Sequence, residues 1–288
     1  MTTVREALRK AGQKLRESGA GTPALDAGVL LGHVTGHNRA GLYQDWEREL
    51  PPEAEARFFT LIARREAGEP VAYLTGRREF MGLDFTVNNS VLIPRPETEL
   101  LVETAIHLAG AGDIIVDAGT GCGAIAISLA VFLPQAVVYA TDQSPDAIEV
   151  ARLNAVSHGV ERRVSFLHGD LLAPLAGLGL AGRVDLIAAN LPYIATRELG
   201  ALPREVRLYE PVTALDGGAD GLDLYRRLIP AAADMLKPGG SLLMEIGSGQ
   251  RAAVAGLLSP PWWDTVVLQD LAGLDRLAVA RLAPDFSR

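Results

Sequence analysis

Cysteine is almost absent. Cys122 is the only one in 288 residues, which excludes any internal disulfide and any multi-cysteine metal site. A reducing interior suits such a chain. Lysine is nearly as scarce, with only Lys10, Lys14 and Lys237, and arginine supplies the rest of the 27 basic residues against 35 acidic ones. The net charge of −8 gives no bulk field to gather phosphates, which counts against a stand-alone DNA or RNA binder. Long apolar runs are missing as well. The longest, Ala124 to Leu133, contains Ser128 and stops at Pro134, far short of the ~20 residues that span a bilayer. The first residues, Met1-Thr2-Thr3-Val4-Arg5-Glu6, turn polar at once and hold no apolar signal core. The chain therefore reads as cytoplasmic, with no membrane segment, and as a monomer. A composition 48% hydrophobic and 22% charged is that of a globular protein, with room for one large domain or two unequal ones.

The first seventy residues carry helical spacing. Val4, Leu8 and Leu15 mark an apolar stripe beside Arg5, Glu6, Arg9 and Lys10. Gly19, Gly21 and Pro23 break it, a second helix is expected over 24–35, a third element holds Leu42, Tyr43 and Trp46, and Pro51-Pro52 opens a fourth. Residues 1–69 are thus expected as a small all-helical domain. Residues 70–94 change character: 79–87 reads as two extended pieces around a turn, giving a β-hairpin linker. A helix is expected over 96–109.

From Asp113 onward, strand and helix alternate. Strands are expected at 114–117, 137–141, 164–168, 184–189 and 241–246, with helices at 124–132, 145–157, 222–236 and 250–258. Continuous apolar strands between helices mean a parallel sheet covered on both faces. Two last strands, 265–269 and 276–281, have only a short turn between them and must pair antiparallel. The result is a mixed seven-stranded α/β domain over 95–288.

The first strand runs into Asp117-Ala118-Gly119-Thr120-Gly121-Cys122-Gly123. Alternate glycines let the backbone turn sharply and let a ligand approach. The spacing departs from the dinucleotide fingerprint at Ala124 and no Gly-Lys-Ser/Thr follows, which disfavours a nicotinamide dehydrogenase and excludes a P-loop. Asp142, about twenty positions on, suits ribose hydroxyls or caps the helix at Pro145. Asp170, with Leu171 beside it, could reach an adenine amino group or cap a turn. Asn190-Leu191-Pro192-Tyr193 closes the fourth strand, where a polar amide faces the ligand crevice of a parallel sheet; an isolated Asn-x-Pro is also a common turn.

Taken together, the glycine loop resembles motif I of class I S-adenosylmethionine-dependent methyltransferases, whose fold is Rossmann-like. Asn190–Tyr193 resembles their Asn-Pro-Pro-Tyr motif, found in enzymes that methylate amide or exocyclic amino nitrogens. Further blocks are similar to one family: Pro70–Gly76, Leu92-Ile93-Pro94-Arg95-Pro96-Glu97-Thr98-Glu99, Glu210-Pro211 with Gly217-Gly218 and Asp220-Gly221, and Glu245-Ile246-Gly247. That family is the protein-(glutamine-N5) methyltransferases of peptide-chain release factors, the PrmC/HemK type. The resemblance covers nearly the whole chain. It implies S-adenosyl-L-methionine over Gly119, Thr120, Gly121, Cys122 and Gly123, with Asp142 on the ribose and Asp170, Leu171 and Asn190 also lining the cofactor. It implies class I release factors as partners and the glutamine of their Gly-Gly-Gln loop as target, held by Asn190, Leu191, Pro192 and Tyr193, with Asn190 and Tyr193 catalytic. The helical domain would help hold the release factor. The family has proline where this chain has Leu191, which implies a looser loop with its acceptor carbonyl intact.

The other readings are an adenine-N6 DNA methyltransferase, which needs a region rich in Arg and Lys, and a non-catalytic S-adenosylmethionine-binding regulator. No metal is expected, since His33 and His37 suggest no third ligand. Cys122 reads as a packing residue before a nucleophile. Trp262-Trp263 is expected to seat the last helix on the sheet. Arg95 and Glu97 either border the cofactor or form a salt-linked cap.

Overall fold

A computed structural model describes residues 2–258 and 261–284. The chain forms two compact units, one of residues 1–77 with 202–209 and one of 78–201 with 210–288.

The first unit is helical: α1 (Val4–Glu17), α2 (Pro23–Thr35), α3 (Arg39–Gln44), α4 (Pro52–Glu66) and α5 (Val71–Thr75). Local chemistry sets the ends. Thr3 and Glu6 form a reciprocal capping box on α1, Pro23 and Pro52 open α2 and α4, and Gly36 ends α2 in the left-handed region. The buried stripe of α1 runs through Val4, Ala7, Ala11 and Leu15, meeting Leu30, Leu31, Phe58 and Ile62, while Leu8 lies at its edge. Leu74 of α5 joins this core, although its segment lay within the expected linker.

Residues 202–209, far along the chain, return to this unit through the helix Arg204–Tyr209. Arg65 holds them. Its guanidinium donates to Asp26 at 2.8 Å and to Glu205 at 2.7 Å, and to the Glu69 carbonyl at 3.2 Å. Arg65 and Asp26 are both buried, so each charge depends on the other to offset its lost hydration.

The second unit begins with the hairpin β1 (Arg77–Phe80) and β2 (Leu83–Thr86) and the helix α6 (Glu99–Leu108), entered through a 3₁₀ turn at Pro96–Thr98. Then come β3 (Ile114–Ala118), α7 (Ala124–Phe132), β4 (Val137–Asp142), α8 (Pro145–Ser157), β5 (Val164–His168) and β6 (Val184–Ala189). With α9 given to the helix Arg204–Tyr209, the chain ends in α10 (Asp223–Met235), β7 (Leu236–Glu245), α11 (Arg251–Leu257), β8 (Trp263–Gln269) and β9 (Asp275–Leu282). The seven strands order as β5-β4-β3-β6-β7-β9-β8. β9 runs antiparallel to β7 and to β8, and the remaining pairs are parallel. This is the mixed seven-stranded sheet expected.

Two strands of the sheet start more than one residue from where they are expected. β7 starts at Leu236, five residues before the expected strand, because Leu236 already pairs with Val184 before Lys237-Pro238-Gly239-Gly240 breaks the register and Ser241 resumes opposite Leu186. Trp263 opens β8 rather than only covering a helix, and it is buried in the same core cluster as Val254 and Leu258 of the last helix region. Among the described residues no helix is long and apolar enough to cross a membrane.

The buried Arg65 pair gives a stability test. Arg65→Ala leaves Asp26 buried without its counter-charge, so the helical unit should lose about 3–5 kcal/mol in urea unfolding followed by circular dichroism. A loss under ~1 kcal/mol would mean that water reaches Asp26 freely.

Candidate active site

The strand order turns back between β3 and β6: β4 and β5 lie on one side of β3, and the chain then crosses to place β6 on the other. Ligands of open parallel sheets bind outside the carboxyl ends of the strands at such a point. Ala118 of β3 pairs with Ala189 of β6, so the next residues, Gly119 and Asn190, emerge as neighbours.

The glycine loop is held from below and from the side. Asp117, at the end of β3, is fully buried. Its Oδ2 accepts the Thr120 hydroxyl at 2.6 Å and the Ala126 N–H at 3.1 Å. Burial pushes this carboxyl up to about 7, against the pull of Thr120 and Ala126, with nearby Asp142 adding to the rise. The N–H groups of Gly119 and Thr120 both donate to the Thr141 carbonyl at 2.9 Å. Gly121 donates to Asp142 Oδ2 at 2.8 Å and Ser144 to Asp142 Oδ1 at 2.9 Å. The cap of α8 is Ser144, whose side chain accepts from Ala147, so Asp142 is not the capping residue and its carboxylate braces the loop. Burial raises Asp142 as well, opposed by its backbone donors.

One cleft collects most of the expected residues. Gly119, Thr120, Gly121, Cys122, Asp142, Asp170, Leu171, Asn190, Leu191 and Pro192 line it, and it encloses about 990 Å³ with the solvent at its mouth included. Gly123 and Tyr193 do not line it. Gly123 has φ +85°, and a Cβ there would stand 2.7 Å from Ile127 and 3.2 Å from Ala151. Its role in this arrangement is to let α7 and α8 pack closely. Ser90, Val91, Leu92, Pro94, Thr98, Pro211 and Ala214 are among the other residues of its wall. Among the described residues no lysine, arginine or histidine lines the cleft. A pyrophosphate would find no cation there, whereas a cationic, hydroxyl-bearing ligand meets the carboxylates of Asp142 and Asp170. Asp170 is exposed and its carboxylate pairs with Arg227 of α10.

Beside the cleft, Asn190 Nδ2 donates to Thr98 Oγ1 at 3.0 Å, and Thr98 donates to Glu245 Oε2 at 2.6 Å. The Tyr193 hydroxyl donates to Glu245 Oε1 at 3.3 Å. Glu245 and Thr98 are buried. Burial pushes Glu245 above the usual carboxylate range, while the Thr98 hydroxyl, the Arg276 guanidinium and the Tyr193 hydroxyl pull it back. Burial, with Glu245 alongside, pushes the Tyr193 phenol up to about 12. Leu191 is buried, and its Cδ2 lies where a Cβ on Gly119 would come within 2.7 Å. Leucine at this position therefore packs on the glycine loop itself.

The remaining sequence candidates separate cleanly. Cys122 is buried and its thiol is pushed up to about 12 by that burial, so it is no nucleophile. Its carbonyl accepts from Asn154 Nδ2 at 2.9 Å, and the same buried Asn154 exchanges hydrogen bonds with Thr86 of β2. That bracket between hairpin and glycine loop was not read from the sequence, because Asn154 sits mid-helix in α8 with no motif around it. Arg95 does not border the cleft: it pairs with buried Glu210 at 2.5 Å, and Glu210 also accepts the Ile93 N–H at 3.2 Å. His37 stands 3.5 Å from Asp45, and among the described residues no three His, Cys, Asp or Glu gather for a metal.

The block 216–221 backs the Asn190–Tyr193 loop. The Ile194 N–H donates to the Leu215 carbonyl at 3.1 Å and the Gly217 N–H to the Ile194 carbonyl at 2.8 Å, and Gln250 Nε2 donates to the Tyr193 carbonyl at 2.9 Å. Gly221 has φ +82°, and a Cβ there would collide with that same carbonyl and with Gln250. Gly221→Ala should therefore cost at least ~2 kcal/mol in chemical denaturation. Stability within ~0.5 kcal/mol of the parent would show that the loop moves aside without strain.

Comparison with known proteins agrees with this geometry. The PrmC N-terminal domain family matches residues 6–76, and a methyltransferase domain family matches residues 110–254. The chain is 49% identical over 282 residues to the release factor glutamine methyltransferase of Moorella thermoacetica, covering 96% of this chain and 98% of that one. It is 44% identical over 281 residues to the one from Geobacter sulfurreducens, covering 97% of each. A crystal structure of a methyltransferase from Pyrococcus furiosus shares the fold, with a TM-score of 0.51 at 17% identity over 78% of this chain and 96% of that one. The full-length identity, with the helical unit and the glycine-loop cleft both matched, makes this chain a member of the release factor glutamine methyltransferase family.

Proposed function

We propose that this chain transfers a methyl group from S-adenosyl-L-methionine to the side-chain N5 of the glutamine in the Gly-Gly-Gln motif of class I peptide-chain release factors. The observation that carries the reading is the pairing of a cation-free cleft with Asn190 at its rim, amide nitrogen engaged and Oδ1 accepting no hydrogen bond among the described residues. S-adenosylmethionine, when bound, supplies an electrophilic methyl on a positively charged sulfur. The carboxylate of Asp142 is placed to accept from ribose hydroxyls and that of Asp170 from an adenine amino group, and the Gly119–Gly123 loop leaves its backbone open to close approach.

An amide nitrogen is a poor nucleophile because its lone pair is shared with the carbonyl. Two acceptors on its N–H groups, Asn190 Oδ1 and the Leu191 carbonyl, would orient the nitrogen and favour its pyramidal form as the methyl arrives. The Leu191 carbonyl has capacity to spare, since its one hydroxyl neighbour, Tyr225, stands 3.5 Å away and bonds the Glu245 carbonyl more closely. Alignment of this kind can supply up to ~7–11 kcal/mol of the barrier reduction. The methylated nitrogen loses its proton readily, so the site needs no strong base, and among the described residues no lysine or histidine lines the cleft. The Tyr193 ring would pack against the amide and favour a cationic methyl centre.

In this reading the helical unit, expected at 1–69 and extending over 1–77 with 202–209, docks the release factor, and 78–201 with 210–288 carry the reaction. The net charge of −8 and the lone, buried Cys122 suit a cytoplasmic monomer that acts on a protein rather than on DNA.

The test is methyl transfer from labelled cofactor to an intact release factor, with DNA as the competing acceptor. Asn190→Ala should lower single-turnover transfer ~10²–10³-fold, more than it lowers cofactor affinity. Asp142→Ala should weaken cofactor binding by roughly 1.5–3 kcal/mol in calorimetry. Transfer to DNA in place of the release factor, or Asn190→Ala at the parent rate, would sink the proposal.

A further inference from the structure

Four side chains form a directed chain: Asn190 to Thr98 at 3.0 Å, Thr98 to Glu245 at 2.6 Å, and Tyr193 to Glu245 at 3.3 Å. They come from three places, the 3₁₀ turn before α6, the loop after β6 and the end of β7. Thr98 is 3% exposed and Glu245 1%, so water does not substitute for these bonds. Chemistry fixes their direction. As a carboxylate Glu245 can only accept, from Thr98 through Oε2 and from Tyr193 through Oε1. A hydroxyl has one proton. Having given it to Glu245, Thr98 Oγ1 can only accept, and only the nitrogen end of the Asn190 amide can donate to it. Nδ2 is thereby pinned on Thr98, and Oδ1 is left as the end available to a substrate.

The two ends of that amide would select opposite substrates. A glutamine side chain brings two N–H donors and needs an acceptor. A glutamate side chain brings only lone pairs, which would face Asn190 Oδ1 and the Leu191 carbonyl, both acceptors. With Asn190 turned over, Nδ2 would welcome a carboxylate and would draw the oxygen of a glutamine amide to where its nitrogen must be.

We propose that Thr98 and Glu245 are positioning residues that set the enzyme's choice of amide over carboxylate, by holding Asn190 with its carbonyl oxygen toward the substrate. The inference rests on the reading that this cleft takes a glutamine side chain. It extends that reading to two residues that need not touch the substrate.

Thr98→Val keeps the shape and removes the hydroxyl, while Thr98→Ser keeps the hydroxyl. Two measurements on the full chain separate the outcomes. One is the hydrogen exchange of the Asn190 side-chain amide, followed by NMR without substrate. The other is the turnover of the release factor and its inhibition by the same factor carrying glutamate in place of the loop glutamine. In Thr98→Val, Nδ2 exchange should quicken, turnover should fall about 10–100-fold, and the preference for the glutamine factor should shrink at least about tenfold. S-adenosylmethionine should still bind, its affinity changing less than turnover does, which also shows that the variant folds, and Thr98→Ser should restore all three. Glu245→Gln, whose amide can donate to Thr98 and reverse the chain, should shift preference the same way. If the parent methylates glutamine but Thr98→Val and Glu245→Gln both keep its amide exchange and its preference, the relay is wrong. A parent that leaves the loop glutamine unmodified overturns the functional reading itself, and the specificity claim with it.

Discussion

The pairing of Ala118 with Ala189 across β3 and β6 is the constraint on which the site depends. It brings the first residue of the glycine loop and the amide of Asn190 to the same edge of the sheet, though seventy residues of chain separate them. Each loop is then braced by its own set of contacts. Thr141 and Asp142 at the end of β4 hold the glycine loop by its backbone N–H groups. Thr98, Glu245 and Gln250 hold the Asn190–Tyr193 loop by side chains and carbonyls. Leu191 then ties the two together by lying on Gly119. A site that must align a weak nucleophile gains from being set on strand ends, because misplacement by an ångström is costly in rate.

Three carboxyl groups of the site are wholly or partly buried. Asp117, Asp142 and Glu245 all sit where burial raises them above the usual carboxylate range. Each is offset by donors from its surroundings: a hydroxyl and an N–H for Asp117, two N–H groups for Asp142, two hydroxyls for Glu245. Such groups specify geometry more than they add stability. In this cleft what they specify is which ends of which polar groups point toward the ligand.

Periodicity made the architecture legible. The alternation of apolar strands with helices from residue 113, and the helix-free pair at the end, are enough for a mixed seven-stranded sheet, and the motifs on its strand ends mark the cleft. Sequence could not show contacts that join distant positions through one side chain. Thr98, Glu245, Asn154 and Gly221 lie in or near recognisable blocks or mid-helix, yet their partners are Asn190, Tyr193, Cys122 and the Tyr193 carbonyl, fixed only by folding. The return of 202–209 to the helical unit was hidden for the same reason, since Glu205 meets Arg65 across 140 positions. The early start of β7 escaped because Lys237-Pro238-Gly239-Gly240 has turn composition, and a register break inside a strand uses the same residues as a turn.

The central claim is that Asn190 presents its carbonyl oxygen to a glutamine amide. A crystal structure of this chain with S-adenosylhomocysteine and the loop of a release factor tests it most directly. The account predicts the glutamine nitrogen within about 2.7–3.2 Å of both Asn190 Oδ1 and the Leu191 carbonyl, with Asn190 Nδ2 still on Thr98. A glutamine held by its oxygen against Asn190 Nδ2, or seated away from the Asn190–Tyr193 loop, would contradict it.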